Sequence, residues 1–245
     1  MALQDKIRRI DDLKKQLDGL LPMPVEQQQK LDEKLRLEFH YNTNHIEGNT
    51  LTYGETKLAI LFDQVSEGHS LREFEEMKAS DVAYKMVQEL ARDNERPLTE
   101  SFIKSLNERL LVREYYKEAL TPDGQETRRL ISIGDYKKHP NSVRLENGEL
   151  FHYATPAETP AMMTDMVAWY REEEEKKEHP AILLAALLHY RFVRIHPFDD
   201  GNGRVSRLLM NYVLFKNGYP PVVIKSEDKL NYLRALNRAD AGDET

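Results

Sequence analysis

His196-Pro197-Phe198-Asp199-Asp200-Gly201-Asn202-Gly203-Arg204-Val205-Ser206-Arg207 brings a titratable base, a carboxylate, two glycines around an amide and two arginines into twelve residues. His196 is the one group among them whose ordinary pKa lies near neutrality, so it can accept a proton at working pH. Asp200 is a hard oxygen ligand suited to Mg²⁺ carried by phosphates. Gly201 and Gly203 let backbone approach a ligand closely and permit positive φ. A helix starting near Asn202 would aim its first free N–H groups into the loop, where an anion is favoured. Arg204 and Arg207, three apart, share a helix face and can both reach that anion. A base, a metal ligand, an anion nest and two phosphate clamps are the parts needed for phosphoryl-type transfer from a nucleotide. Taken alone, each part has an ordinary structural meaning: Asp-Asp-Gly-Asn-Gly, for instance, is usually a turn. Their joint spacing argues otherwise. A calcium loop fits poorly, because the alternating ligands and terminal Glu are missing.

Two core helices must hold these groups. Ala181 to Ile195 is almost continuously apolar, the mark of a helix buried on most of its surface. After the loop, Val205, Leu208, Leu209, Tyr212 and Val213 recur at helical spacing. From the start of the chain, residues 1–21 read as an amphipathic helix with Ile7, Ile10, Leu13, Leu17 and Leu20 on one stripe, stopped by Pro22 and Pro24. Its mixed charges favour packing on a partner or on the rest of the chain over lying on a membrane. Residues 25–46 read as a second helix carrying Leu31, Leu35, Phe39 and Ile46. Gly48 is placed to end it, which leaves Glu47 in a last turn where the macrodipole disfavours an anion. A nearby cation would account for that violation, and a solvated Glu at a frayed helix end is the ordinary alternative. Thr52 and Glu55 form a capping box. Leu71 to Ala91 should turn Phe74, Met77, Val82, Met86, Val87 and Leu90 inward, and Thr99 caps a helix running to about Val112. The stretch 113–140 reads as a turn at Thr121-Pro122-Asp123-Gly124 within irregular chain. Val143 to Tyr153 is the single hairpin expected, around Asn147-Gly148, and its exposed edge could accept an extended peptide. Thr159-Pro160 opens a helix with Met162, Met163, Met166, Trp169 and Tyr170 inward, as core filler. Pro180 opens the central helix, in which His189 is expected to be a satisfied core histidine. Lys229 to Ala239 is the final helix.

The twelve-residue stretch resembles the signature of the Fic family, H-x-F-x-[DE]-G-N-G-R-x-x-R, and matches every specified position. The usual activity of that family is AMPylation, the transfer of AMP from ATP to a protein hydroxyl with release of pyrophosphate. The resemblance implies that His196 is the catalytic base, Phe198 anchors the loop and Asp200 holds Mg²⁺. It further implies that Gly201, Asn202 and Gly203 cradle the α-phosphate, while Arg204 and Arg207 hold the β- and γ-phosphates. Gly203 favours AMP transfer over phosphorylation. Thr43-x-x-x-Glu47-Gly48 resembles the family's inhibitory motif, [ST]-x-x-x-E-[GN], which implies a Glu47–Arg207 ion pair and the class with an N-terminal inhibitory helix. The hairpin resembles the family's flap, with Leu150 and Phe151 the implied target contacts. Tyr232 and Asp240 are the implied residues near adenine. The resemblance spans roughly residues 40–243; residues 1–39 are read from pattern alone.

A chain of 245 residues with 31% charged and 40% hydrophobic residues can bury a substantial core. Its net charge of −7 disfavours nucleic-acid and anionic-membrane footprints, so a phosphate site must be a local basic spot. The absence of cysteine excludes disulfides and thiolate metal sites. No secretory leader pattern opens the chain, and a cytoplasmic location is the default expectation. The fold expected is mainly helical with one β-hairpin flap, divided into an N-terminal region, 1–95, bearing the inhibitory motif, and a catalytic core, 96–245. The expected function is Mg²⁺-dependent adenylyl transfer from ATP, restrained by Glu47, to a Ser, Thr or Tyr of a protein, with the chain itself among the candidate acceptors. Alternatives are removal of AMP from a modified protein through Glu47, or nucleotide binding without transfer. A homodimer is one option for assembly.

Overall fold

Thr52 and Ser70 each open a helix through a reciprocal capping box, their hydroxyls accepting from the N–H of Glu55 and Glu73 while those carboxylates return to the cap N–H. Thr99 caps the next helix through the Phe102 N–H. In the computed structural model, which describes residues 3–120, 125–144 and 150–240, the helices are α1 (Leu3–Asp18), α2 (Val25–Ile46), α3 (Tyr53–Phe62), α4 (Leu71–Arg92), α5 (Glu100–Leu111), α6 (Thr159–Lys176), α7 (Ala181–Ile195), α8 (Asn202–Lys216) and α9 (Lys229–Asp240). Two antiparallel hairpins interrupt them between α5 and α6: β1 (Tyr115–Leu120) with β2 (Glu126–Ile131), and β3 (Ser142–Arg144) with β4 (Leu150–His152).

The mainly helical fold is as expected, and the hairpin count is corrected. The stretch read as irregular chain contains β1 and β2, paired in register from Tyr115 opposite Ile131 to Leu120 opposite Glu126. The turns at 121–124 and 147–148 lie outside the described residues.

α7 and α8 pack as a pair at the centre, burying Leu188, Phe192, Ile195, Leu208, Leu209 and Tyr212. α4, α5 and α6 close around them through Tyr84, Val87, Leu106, Leu110, Met166 and Tyr170. α2 is fastened to α4 by the Phe39–Tyr84 ring contact at 5.1 Å and by a buried polar cluster. In that cluster His40 Nδ1 and Ser80 Oγ share a hydrogen bond of 2.9 Å, and Arg36 pairs with Asp81 at 2.7 Å. α2 is therefore a fixed arm, and its last turn overhangs the start of α8. α1 is peripheral: it has no buried residue, and Leu13 of the expected stripe is 54% exposed. Val82 and Met162, expected inward, are also exposed; each lies at the rim of its helix's packed face beside fully buried neighbours, Ala83 and Met163. No helix among the described residues is long and apolar enough to cross a membrane.

Candidate active site

The central loop is built from α7's last residues. The His196 N–H closes the helix on the Phe192 carbonyl, and His196 itself takes the left-handed conformation, φ 50° and ψ 59°. Glycine normally fills such a position, and a non-glycine there stores of order 1 kcal/mol of strain. Pro197 prevents further helix, and Phe198 is buried against Phe192 and Tyr136. Asn202 then spends its whole side chain on Phe198, accepting from the Phe198 N–H at 2.9 Å and donating to its carbonyl at 2.8 Å. The loop is thus a closed ring with α8 starting from its far side. Gly201 has φ 81°, and a Cβ there would meet Asn107 Nδ2 at 3.1 Å, so glycine is required on both counts. Asn107 in turn donates to the Asp200 carbonyl and accepts from the Gly134 N–H.

The charged groups of the signature converge here. Asp200 accepts from the Tyr115 hydroxyl, from Lys117 at 3.0 Å and from the Gly201 N–H at 2.6 Å. Burial pushes its carboxyl up, but Tyr115, Lys117 and Arg204 outweigh that and hold it at about 2, ionised at any working pH. Tyr115 and Lys117 stand two apart on one face of β1, and Arg129, opposite Lys117 on β2, pairs with Asp199. The hairpin therefore clamps both aspartates of the loop. Arg204 donates to Glu76 of α4 at 2.7 Å and keeps a buried, unpartnered Nε. Arg207, 2% exposed, donates to the Thr43 hydroxyl at 2.7 Å, to the Thr43 carbonyl at 3.0 Å and to Glu47 Oε1 at 2.6 Å. Both arginines are thus matched by carboxylates from the N-terminal helices.

Glu47 ends α2 through the hydrogen bonds that its own Gly48 makes possible. The Gly48 and Asn49 N–H groups return to the carbonyls of His45 and Asn44, with Gly48 at φ 100°. Burial works against the charge of Glu47, yet Arg207, and more weakly Arg204, lower its pKa. Its Oε1 lies so close over α8's first turn that a Cβ on Gly203 would collide with it and would stand 3.1 Å from Arg207 Nη1. A carboxylate oxygen thus sits where the N-terminus of α8 and both arginines favour an anion.

The His196 imidazole is half-buried with its Nδ1 enclosed, and desolvation, then the Lys137 ammonium, push it down to about 4 against the pull of Asp200 and Glu47. It is neutral at working pH and able to accept a proton. Tyr153, following β4, stacks on it with ring centroids 4.1 Å apart and planes 18° from parallel. Of the two expected flap contacts, Leu150 is paired with Arg144 through the strand, its side chain outside the described residues. Phe151 packs edge-on to Tyr153 at 5.3 Å under the Arg194 guanidinium. Tyr232 shares a 2.9 Å hydrogen bond with His189 Nε2 and lies within electrostatic reach of Arg207 and Glu47. His189 is the satisfied core histidine expected. Asp240 is farther out, accepting from Arg194 at 2.8 Å and from the Tyr190 hydroxyl.

Sequence reading missed Tyr115, Lys117, Glu76, Lys137 and Tyr153. The first two had a usable signal, since Asp123-Gly124 flanked by two six-residue runs is a hairpin pattern. Among the described residues no three His, Asp or Glu side chains are grouped to hold a metal by themselves. The lone Asp200 carboxylate beside an anion nest instead suits Mg²⁺, which keeps most of its ligands from water and phosphate.

The Fic/DOC family model matches residues 97–214. The chain is 30% identical over 244 residues to the protein adenylyltransferase Fic of Nematostella vectensis, covering 98% of this chain and 51% of that protein. Relatives in Caenorhabditis and Drosophila are 30–32% identical, and 36–38% of their length is covered, so the chain spans about half or less of the curated relatives it matches. The crystal structure of a Fic domain-containing signaling protein from Bacteroides thetaiotaomicron superposes with a TM-score of 0.87 at 49% identity, covering 95% of this chain and 81% of that one. Caenorhabditis elegans Fic-1 superposes at 0.77 with 25% identity, covering 98% of this chain and 65% of that one. By complete signature, helical architecture and 49% identity to the Bacteroides thetaiotaomicron Fic domain-containing protein over most of both chains, the protein belongs to the Fic/DOC family.

Proposed function

We propose that the chain transfers AMP from ATP to a hydroxyl of a protein, releasing pyrophosphate. The observation that carries this reading is the meeting of a neutral His196 imidazole with an anion seat formed by the α8 N-terminus, Arg204 and Arg207. His196 takes the proton of the acceptor hydroxyl as its oxygen attacks the α-phosphorus, and the bond to the β-phosphate oxygen breaks with pyrophosphate carrying away the electron pair. The N–H groups of Asn202 and Gly203 face the α-phosphate, and Arg204 and Arg207 bind the phosphates that leave. Mg²⁺ at Asp200 would offset the triphosphate charge. Pre-ionised Asp200, neutral His196 and a closed loop mean that little reorganisation precedes the transfer. The relatives named protein adenylyltransferase support the same chemistry.

Residues 1–95 act as the restraining part. They bring Glu47 and Thr43 to Arg207, where the Glu47 carboxylate occupies the charge that a terminal phosphate would need. The acceptor is a protein segment lying along the β3–β4 hairpin, with Phe151 and Tyr153 at its edge, while Tyr232 lies on the nucleotide side. The ionised Glu47, within electrostatic reach of His196, also favours a second reading, removal of AMP by a water that this carboxylate orients. Labelled ATP with Glu47→Ala, and with Glu47→Ala combined with His196→Ala, tests the first reading. The single variant should label protein strongly and the double variant ~10²–10⁴-fold less; comparable labelling by both would reject His196 as the base. Release of AMP from a modified acceptor by the unaltered chain but not by Glu47→Ala would favour the second.

A further inference from the structure

Lys137 is 2% exposed, on the chain between β2 and β3, and among the described residues no carboxylate lies within ion-pair distance of it. Lysine is almost never buried to this degree without a partner. Its partners are backbone carbonyls at one place. Nζ donates to the Ile195 carbonyl at 3.1 Å and to the His196 carbonyl at 2.8 Å, while its own N–H donates to the Pro197 carbonyl at 2.8 Å. One residue therefore ties three consecutive carbonyls at the C-terminus of α7. These are groups that a helix end leaves without intrahelical donors, and the negative end of the helix dipole replaces a counter-ion for the ammonium.

We propose that Lys137 is the positioning residue for His196: by binding the carbonyls of residues 195–197 it fixes the left-handed turn that aims the imidazole into the anion seat. The inference rests on the reading of His196 as the base. The strain of a non-glycine left-handed residue persists only where its surroundings over-determine it, and Lys137 supplies that determination from the backbone side. Tyr153 does so from the ring side, stacked on the imidazole and with its own ring 6.0 Å from Lys137 Nζ. The hydrogen bonds of Lys137 go to the backbone carbonyls of that turn, so it acts through His196.

The charge has a second consequence. The groups facing the imidazole are Lys137, Asp200, Glu47, the Val193 carbonyl and the Tyr153 ring. Of these Lys137 opposes protonation, while the two carboxylates and the carbonyl favour it. Lys137 is itself held down to about 8 by burial, with Arg129 adding to that and Asp199 and Glu158 opposing it, so it is cationic at neutral pH. Removing it should let the imidazole titrate at higher pH.

Lys137→Met removes charge and donor; Lys137→Gln keeps a donor without charge. Both are compared with the unaltered chain by histidine-labelled NMR titration and, in the Glu47→Ala background, by AMP-transfer kinetics. The expected result is a His196 titration midpoint above the parent value in both variants. In Lys137→Met kcat falls ~10²-fold, the cost of a misplaced catalytic group, with KM for ATP unchanged; Lys137→Gln recovers part of kcat. A folded Lys137→Met with His196 midpoint and kcat both unmoved would overturn the proposal. If that variant does not fold, Lys137→Gln decides, with an unmoved midpoint and full kcat the overturning result. Absence of AMP transfer in the Glu47→Ala parent would defeat the AMP-transfer reading, and the imidazole titration would still decide what Lys137 does.

Discussion

Replacing Glu47 with Ala should make the free protein less stable and its ATP binding tighter, by about the same free energy. Glu47 Oε1 is 2.6 Å from Arg207, whose side chain is 2% exposed. Breaking a buried ion pair from one side typically costs ~3–5 kcal/mol, because the remaining charge stays buried. Two features reduce that here. The Glu47 side chain is 35% exposed, so solvent screens the pair, and Thr43 still accepts two hydrogen bonds from Arg207. We therefore expect ~2 kcal/mol, which for a chain of this size lowers Tm by roughly 4–8 °C. On the proposed reading a terminal phosphate displaces that same carboxylate in the unaltered chain, so productive ATP affinity should be penalised by ~2 kcal/mol, about 30-fold in Kd. Titration calorimetry with ATP·Mg²⁺ measures the second quantity, and thermal unfolding with and without saturating nucleotide measures the first. The Tm gap between variant and parent should close as ATP is added, because the ligand restores the missing anion. A variant destabilised as expected but with an unchanged Kd would refute the argument, since it would mean that carboxylate and phosphate do not compete for one seat.

Two further outcomes follow from the same geometry. Gly203→Ala puts a methyl where Glu47 Oε1 now lies, so it should destabilise the parent by ~1–3 kcal/mol, as overpacking does, and cost clearly less in the Glu47→Ala background. Urea unfolding of the four proteins of this double-mutant cycle reads the coupling, and strict additivity would count against the collision. Acid should weaken the fold through its desolvated imidazoles, His40 among them. His196 is held at about 4 by burial and Lys137, and His189 at about 3 by burial and Arg207, against 6.5 for an ordinary histidine. The unfolded chain then binds protons first, so stability falls as pH drops from about 6.5 towards those values, by on the order of 3 kcal/mol for His196 and on the order of 5 kcal/mol for His189. Urea midpoints between pH 7 and 4.5 should track this fall, and His189→Gln should flatten it; an equal slope in the variant would exclude His189 as a contributor.

The parts of the site that were legible in the sequence are those in which chemistry and local backbone coincide. His196 to Arg207 is a helix end, a ring closed by Asn202 and a helix start, and each turn is specified by residues within four positions. Glu47 drew notice because Gly48 marks where α2 stops and an acidic residue at that end asks for a cation, but it was the resemblance to the family's inhibitory motif that singled it out, and Thr43 came from that resemblance alone. What the sequence withheld depends on long-range placement. Glu76 meets Arg204 across 128 residues, and nothing near either one specifies the other. Lys137 sits in a stretch with no periodicity, and its role comes entirely from the carbonyls that fold against it. The β1–β2 hairpin carries a turn signal at Asp123-Gly124 but was missed because its second strand does not read as one: Glu126 to Ile131 is exposed at most positions and buries only its last residue. It therefore lacks the apolar alternation that announces a strand, and the face it does present is polar, directed at Asp199 and Asp200.

That polar hairpin and the N-terminal helices address opposite signs of the same loop. Tyr115, Lys117 and Arg129 hold the two aspartates, whereas Glu76 and Glu47 hold the two arginines. A loop with this much unlike charge in twelve residues would be costly to bury if either set were left unpaired. The consequence is an asymmetry in what can be displaced. Arg207 keeps Thr43 when Glu47 leaves, and Glu47 lies at an exposed helix end, so the pair is the one contact of the four whose carboxylate can swing into solvent with α2's last turn intact. Glu76, by contrast, is pinned from its other oxygen by Arg72 at 2.7 Å, so it stays and orients Arg204. The fold thus stabilises its charged loop with four pairings, of which, on the proposed reading, the Glu47 pairing is the one that gives way to a phosphate.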